Sequence, residues 1–261
     1  MSKLSRQPVL FLAHGDPMNA LRDTAFTRAL GAMAGTLPAK PAAVLVISAH
    51  WQAPGSFACS ASRPETIHDF SGFPDELFEV EYPASGAPEL AAKTAALIPG
   101  GRVTVDWGLD HGAWTVLRHL FPEAEVPVFQ LSIDARKSLA EQLEIGRALY
   151  PLREEGLLVI GSGNIVHNLA KLRWNGEAYD WARAFDAWVA SRLDAVEPDA
   201  LCDLSLAGEE ARLSCPSLEH YVPLVYAMGA ASGGSGGLGR PAYPYEGFEH
   251  GSLSMRCVRW D

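Results

Sequence analysis

Three short apolar runs of this 261-residue chain lead directly into histidine. VLFLA ends in His14, followed by Gly15, Asp16 and Pro17; VLVISA ends in His50, followed by Trp51; and LLVIGSGNIV passes through a glycine turn to His167. In an open α/β sheet the binding crevice lies at the carboxyl ends of the strands, so polar side chains just past buried strands are where chemistry is expected. Two more histidines join on context: His111 in the DHGAW turn before an apolar helix, and His220 in PSLEHYVPLVYAMG at the start of a helix. One such histidine alone is more often a hydrogen-bonded structural residue. Imidazoles converging from separate strands and a helix start are what a mononuclear metal site needs, because neutral nitrogen donors suit zinc, iron and copper.

The other three histidines carry blander readings. His119 stands beside Leu120 near a helix end, where the helix dipole accounts for it. His250 lies in a loop before the last strand without a glycine-turn context and is read as an ordinary loop residue. His68, in TIHDFSGFP, belongs to an aromatic-rich loop that either lids a pocket or covers the core.

The elements that must position these residues follow from hydrophobic spacing. Strand-length apolar runs occur at Pro8–Ala13, Ala43–Ala49, Val126–Ser132, Leu157–Gly161 and Ser252–Trp260. The first four are nearly continuous, as suits strands buried on both faces, whereas the last alternates. The clearest helix is Ala178–Ala195, with Trp181, Phe185, Trp188, Val189 and Leu193 on one face. Helical patterns also fit Leu21–Leu37, Ala87–Leu97, Lys137–Arg153 and Leu218–Met228. This order predicts an α/β fold, with a central largely parallel or mixed sheet flanked by helices, as a single domain over residues 1–261. The glycine-rich Ser232–Gly239 reads as a surface loop, and its GGSGG lacks the strand-turn-helix context of a nucleophile elbow. GSGNIV misses the dinucleotide fingerprint, since Val166 stands in place of the third glycine, and no P-loop sequence occurs.

Composition narrows the partners. Twenty-one Lys and Arg against 31 Asp and Glu give a formal charge of −10, which makes nucleic acid and anionic membrane surfaces poor expectations. No apolar run approaches the roughly 18 residues of a membrane span, and the N-terminal segment lacks the form of a signal peptide, so a cytoplasmic address is expected. Cys59, Cys202, Cys215 and Cys257 form no CxxC pair and are read as reduced packing residues.

LAHGDPMNAL, VISAHW, TIHDFSGFP, DHGAW, GSGNIVHNL, EHYVPLVYA and GSLSMRCVRW, in this order from about residue 8 to the C-terminus, together resemble the 4,5-DOPA extradiol dioxygenase family. That family falls within the class III extradiol dioxygenases typified by protocatechuate 4,5-dioxygenase. The resemblance implies that His14, His50 and His220 are metal ligands, that His167 is a fourth ligand or an acid/base, and that His111 faces the substrate. His68 and Trp51, with Phe70–Phe73, are expected to line the site for one flat ring. It further implies one divalent metal per chain, Fe(II) for activity with Zn(II) plausible as isolated, and a small aromatic diol and O₂ as reactants. Nothing in the sequence fixes the oligomeric state. Asp16 stands where family members often have Ser, the glycine-rich segment replaces the usual one, and His250 falls where no family histidine is expected.

Ring cleavage requires a metal with open adjacent positions, so that both diol oxygens chelate and dioxygen binds beside them; three facial ligands leave those positions free. A base must take a catechol proton and an acid must assist O–O cleavage, the role read for His167. His111 is suited to hydrogen-bond the bound oxygen or the substrate. Glu219 adjoins His220, but neighbours on a helix point about 100° apart, so both are not expected to reach one metal. An all-histidine site also suits zinc, which leaves a zinc hydrolase and a non-catalytic metal-binding module as alternatives.

Overall fold

The apolar runs become strands whose alternate side chains enter two separate cores, which is why they lack polar alternation. In the computed structural model, which describes residues 5–174, 176–233 and 237–261, Val9 and Phe11 enter one core while Leu10 and Leu12 enter the other. Leu45 and Ile47 alternate in the same way with Val44 and Val46. The central sheet has six strands: β1 (Val9–Ala13), β2 (Ala43–Ser48), β3 (Val128–Gln130), β4 (Leu157–Gly163), β5 (Ala242–Tyr245) and β6 (Cys257–Trp260). Their spatial order is β3-β2-β4-β1-β6-β5. The first four are parallel, and β6 runs antiparallel to β1 and β5. The sheet is therefore mixed, with a parallel centre.

Six helices of ten or more residues are described: α1 (Ala25–Ala34), α2 (Pro88–Leu97), α3 (His111–Leu120), α4 (Leu139–Ala148), α5 (Asp180–Asp194) and α6 (Val222–Ser232). Residues of α1 and α3 pack in one core, and residues of α2, α4, α5 and α6 in the other. No helix among the described residues is long and apolar enough to cross a membrane. All four cysteines are free.

Register sets the level of the site. Ala13 lies opposite Gly163, and Ser48 opposite Ser162, so the ends of β1, β2 and β4 fall on one line. The chain is bound there by His14 N–H to Gly163 O (3.2 Å) and Ala49 N–H to Ser162 O (3.0 Å).

Boundaries differ from the sequence reading for identifiable reasons. The helix expected from Leu21 begins at Ala25, where Thr24 and Thr27 form a capping box. The helix expected from Lys137 begins after Ser138, whose hydroxyl accepts from Glu141 N–H, and passes into a 3₁₀ turn at Tyr150–Glu155. The helix expected from Leu218 begins at Val222, so Glu219 and His220 sit in a turn. The last expected strand is two pieces, Leu253–Ser254 and Cys257–Trp260. Strand β5 was not foreseen: its AYPY sequence holds a proline, compatible with a strand at the sheet edge. Of the segment read as a glycine-rich loop, residues 234–236 lie outside the described residues.

Candidate metal centre and its cavity

Five histidines meet at this strand edge. His14 follows β1, His50 follows β2 after Ala49, and His167 follows β4 after a turn whose Asn164 N–H donates to His220 O (2.9 Å). His111 is the first residue of α3, capped by Asp110, and His220 stands in the turn before α6. The His220 turn crosses closely over β4: a Cβ on Gly163 would lie 2.1 Å from His220 O, and one on Gly161 2.2 Å from Pro223 O. Glycine at these positions is what lets the segment reach the site.

The rings touch or nearly touch. Centroid separations are 5.0 Å for His14–His50, 5.2 Å for His14–His220, 5.1 Å for His50–His220 and 3.9 Å for His50–His111. His167 stacks on His220 at 3.4 Å with planes 7° apart. Burial, with the charges of neighbouring imidazoles, pushes His14 and His220 well below the usual histidine range. Burial likewise lowers His50 to about 3 and His167 to about 4. At neutral pH these four rings are uncharged, the form that coordinates metals.

Polar contacts at Nδ1 orient four of the rings. The Ser162 hydroxyl donates to Gly112 O (2.6 Å), so its oxygen accepts from His14 Nδ1–H (3.0 Å). Asp69, which can only accept when ionised, faces His50 Nδ1 at 3.3 Å with Oδ2 and His111 Nδ1 at 2.9 Å with Oδ1. Burial pushes the Asp69 carboxyl up, but hydrogen bonds from His111 and the charges of His111 and His50 outweigh it and hold it at about 2. Glu219 Oε1 accepts from His220 Nδ1 (3.1 Å). Nδ1 is thus hydrogen-bonded in His14, His111 and His220, and in His50 it has the 3.3 Å contact with Asp69.

His14 Nε2 and His50 Nε2 face each other at 3.2 Å, a separation at which one ring donates to the other or both donate to one cation. Two imidazole nitrogens each about 2.0–2.1 Å from one metal stand roughly 3.0–3.4 Å apart, so the donor set fits a single first-row ion. By possible ligand atoms, His14, His50 and His111 form one tight set within 4.8 Å, and His167, Glu219 and His220 another. Grouping His220 apart from His14 and His50 differs from the sequence reading, as does the presence of Glu219. In a turn rather than a helix, its carboxylate swings back onto His220.

The rings floor a cavity of about 470 Å³, also lined by Asp16, Asp69, Phe70–Phe73, Leu169, Leu172, Trp174 and His250. Trp51 and His68 do not line it. Trp51 is buried and stacks on Trp107, with centroids 5.3 Å apart, while His68 Nε2 donates to Val80 O (3.0 Å) and its ring packs on Phe70, Phe78 and Trp114. Their substrate-facing expectation is corrected by this geometry: His68 packs behind Phe70, and Trp51 packs on Trp107 outside the lining. His119 Nε2 hydrogen-bonds Asn19 O (2.8 Å) in the last turn of α3 and is structural. His250, read as an ordinary loop residue, stands in the cavity wall. It and Gly251 are consecutive left-handed residues, with φ of 48° and 74°, so a glycine turn does aim it.

Asp69, in TIHDFSGFP, and Asp110, in DHGAW, are site residues that the sequence reading does not single out. Asp110 is fully buried: its Oδ1 accepts from Ser48 (2.7 Å) and from Ala113 N–H (3.2 Å), and its Oδ2 from Gln130 (2.8 Å). Burial and the nearby Asp69 charge push its carboxyl up against those hydrogen bonds. The available signal was N-cap chemistry: Asp immediately before an apolar helix that opens on His111.

The sequence matches the catalytic LigB subunit of aromatic ring-opening dioxygenases over residues 3–254. The chain belongs to this family. It is 43% identical to the 4,5-DOPA dioxygenase extradiol of Escherichia coli K12, across 98% of this chain and 95% of that protein. It is 33% identical to the 4,5-DOPA dioxygenase extradiol of Portulaca grandiflora, across 99% and 97%. The crystal structure of an uncharacterized Escherichia coli K12 protein superposes with a TM-score of 0.82 at 40% identity, covering 98% of this chain and all of that one. This LigB-family protein is a metal-dependent extradiol dioxygenase with a group of histidines that could hold a metal.

Proposed function

We propose that the enzyme opens a catechol carrying a short polar side chain, DOPA or a simpler relative, using one Fe(II) held by His14, His50 and His220. The facing Nε2 atoms of His14 and His50 at 3.2 Å are the observation that carries this reading. Such a metal supplies two adjacent positions for the diol oxygens and a path for electrons from the catecholate to O₂.

The third ligand is assigned by electrostatics. His111 opens α3, where the unsatisfied N–H groups and the macrodipole place partial positive charge, which disfavours a cation and favours an anionic oxygen. His220 stands just ahead of the N-terminus of α6, but the adjacent Glu219 carboxylate on its Nδ1 offsets the positive charge there and raises its basicity as a ligand. His111 is thus left to face the substrate: with its Nδ1–H held by Asp69, its Nε2 accepts from a diol hydroxyl.

His167 takes the proton role. Neutral at working pH and stacked on His220, it is free to accept a catechol proton and return it to a leaving oxygen. Phe70 and Phe73 exclude water over the ring.

Anaerobic loading with Fe(II), followed by O₂ uptake with a panel of 1,2-diols, 1,3-diols and monophenols, tests the assignment. Consumption of O₂ with a yellow semialdehyde chromophore is expected for 1,2-diols only. Indifference to every catechol in iron-loaded protein, or ester or amide turnover with zinc, would replace it with a hydrolase.

A further inference from the structure

One corner of the cavity takes no part in holding the diol. Asp16 follows the left-handed Gly15 (φ 61°) just beyond His14 and is more than nine-tenths buried, yet lines the cavity. Its Oδ1 accepts from Met18 N–H (2.8 Å). Its Oδ2 has only long contacts, 3.5 Å to Arg22 Nη1 and 3.5 Å to His250 Nε2, and accepts no hydrogen bond among the described residues. His250 Nε2 is likewise buried without a hydrogen-bond partner, and the Trp174 ring stands 4.4 Å from the His250 ring, centroid to centroid. Glu249 sits beside this corner, its Oε2 accepting from Asn19 Nδ2 (3.0 Å), close enough to feel Asp16 and Arg22. The Arg22 guanidinium is 3.5 Å from Asp16, and no Lys or Arg is among the described residues lining the cavity.

We propose that Asp16 is a specificity-determining residue that selects catechols whose side chain ends in a protonated amine over those ending in a carboxylate. This rests on the ring-opening assignment above. With the diol at the histidines, the far end of the ring lies between two walls. The Phe70–Phe73 loop offers no charge, whereas the Asp16, His250 and Trp174 wall offers a carboxylate oxygen lacking a good donor and an aromatic face. An ammonium brings several donors to that oxygen and a cation to the indole. A carboxylate there meets like charge and no permanent cation on the cavity wall.

The test is anaerobic calorimetric binding to the iron-loaded full chain of three catechols matched in length: 4-(2-aminoethyl)catechol, 4-ethylcatechol and 3-(3,4-dihydroxyphenyl)propionate. The amine should bind roughly tenfold or more tighter than the ethyl compound, and the acid more weakly than either. In Asp16→Asn, which keeps an Oδ1 able to accept from Met18 N–H, the amine-to-ethyl ratio should fall toward one. Taking the ratio cancels any change in metal content or ring binding. A wild-type ratio near one, a ratio indifferent to Asp16→Asn, or tightest binding by the acid that His250→Gln abolishes would overturn the subsite while the ring-opening assignment stands. No binding by any of the three would overturn both.

Discussion

The floor of the cavity and the layer behind its wall are built from the same residue types, yet they differ in what the polar atoms do. On the floor, His14, His50, His111 and His220 each turn Nδ1 to a side-chain oxygen, and the Nε2 atoms of His14 and His50 meet at 3.2 Å. Behind the wall, His68 spends Nε2 on the backbone carbonyl of Val80 and lies among Phe70, Phe78 and Trp114, and outside the lining Trp51 lies flat on Trp107. A tie from Nδ1 to an orienting side chain marks a ligand. A tie to the main chain within an aromatic cluster marks a packing residue.

Breaking the floor should have the largest effect. His14→Ala or His50→Ala removes one of the two facing donors, so metal content should fall to background and O₂ uptake with it. The fold should survive, because both rings line the cavity beyond the strand ends. Metal analysis beside circular dichroism separates loss of metal from loss of structure. His220→Ala should resemble them and His111→Ala should keep its metal; the reverse result would move the third ligand to His111, in line with the tighter nitrogen set.

His167→Ala should reduce turnover on the order of 10²- to 10⁴-fold while the metal is retained, since a proton-transfer residue does not alone hold the ion. Complete metal loss in this variant would make it a fourth ligand. Asp69→Asn is expected to do less, weakening metal affinity by about 10- to 100-fold through the freed His50 ring. Competition with a chelator of known affinity reads this directly, and unchanged affinity would assign Asp69 to His111 alone.

These differences explain what the sequence could disclose. The three strand-end histidines were legible because a buried strand is a continuous apolar run and its end is abrupt, and the α/β architecture followed from the same runs. The partners of the second nitrogen were not, because Ser162, Asp69 and Glu219 reach the rings through strand register, a loop and a turn. His250 escaped for a related reason: its aim depends on consecutive left-handed residues, and only one of the two is glycine. Trp51 and His68 were placed too near the substrate because adjacency in sequence to His50 and Phe70 says nothing about which side of the loop a ring takes. Strand β5 was missed because its pairing is tertiary and its proline argues against a strand.

The smallest effect is expected behind the wall, in His68→Ala. The variant loses the hydrogen bond to Val80 O and the ring's packing on Phe70, Phe78 and Trp114, a cost of about 1–3 kcal/mol in stability. It leaves every cavity-lining ring in place, so turnover per folded molecule should stay within about threefold of the parent, with any change in KM rather than kcat, because the Phe70 wall loosens before the histidine floor does. Denaturant unfolding and steady-state kinetics on the same preparation decide it. A drop in kcat comparable to that of His167→Ala, with stability unchanged, would mean that His68 turns into the cavity when substrate binds and would erase the distinction drawn between the two layers.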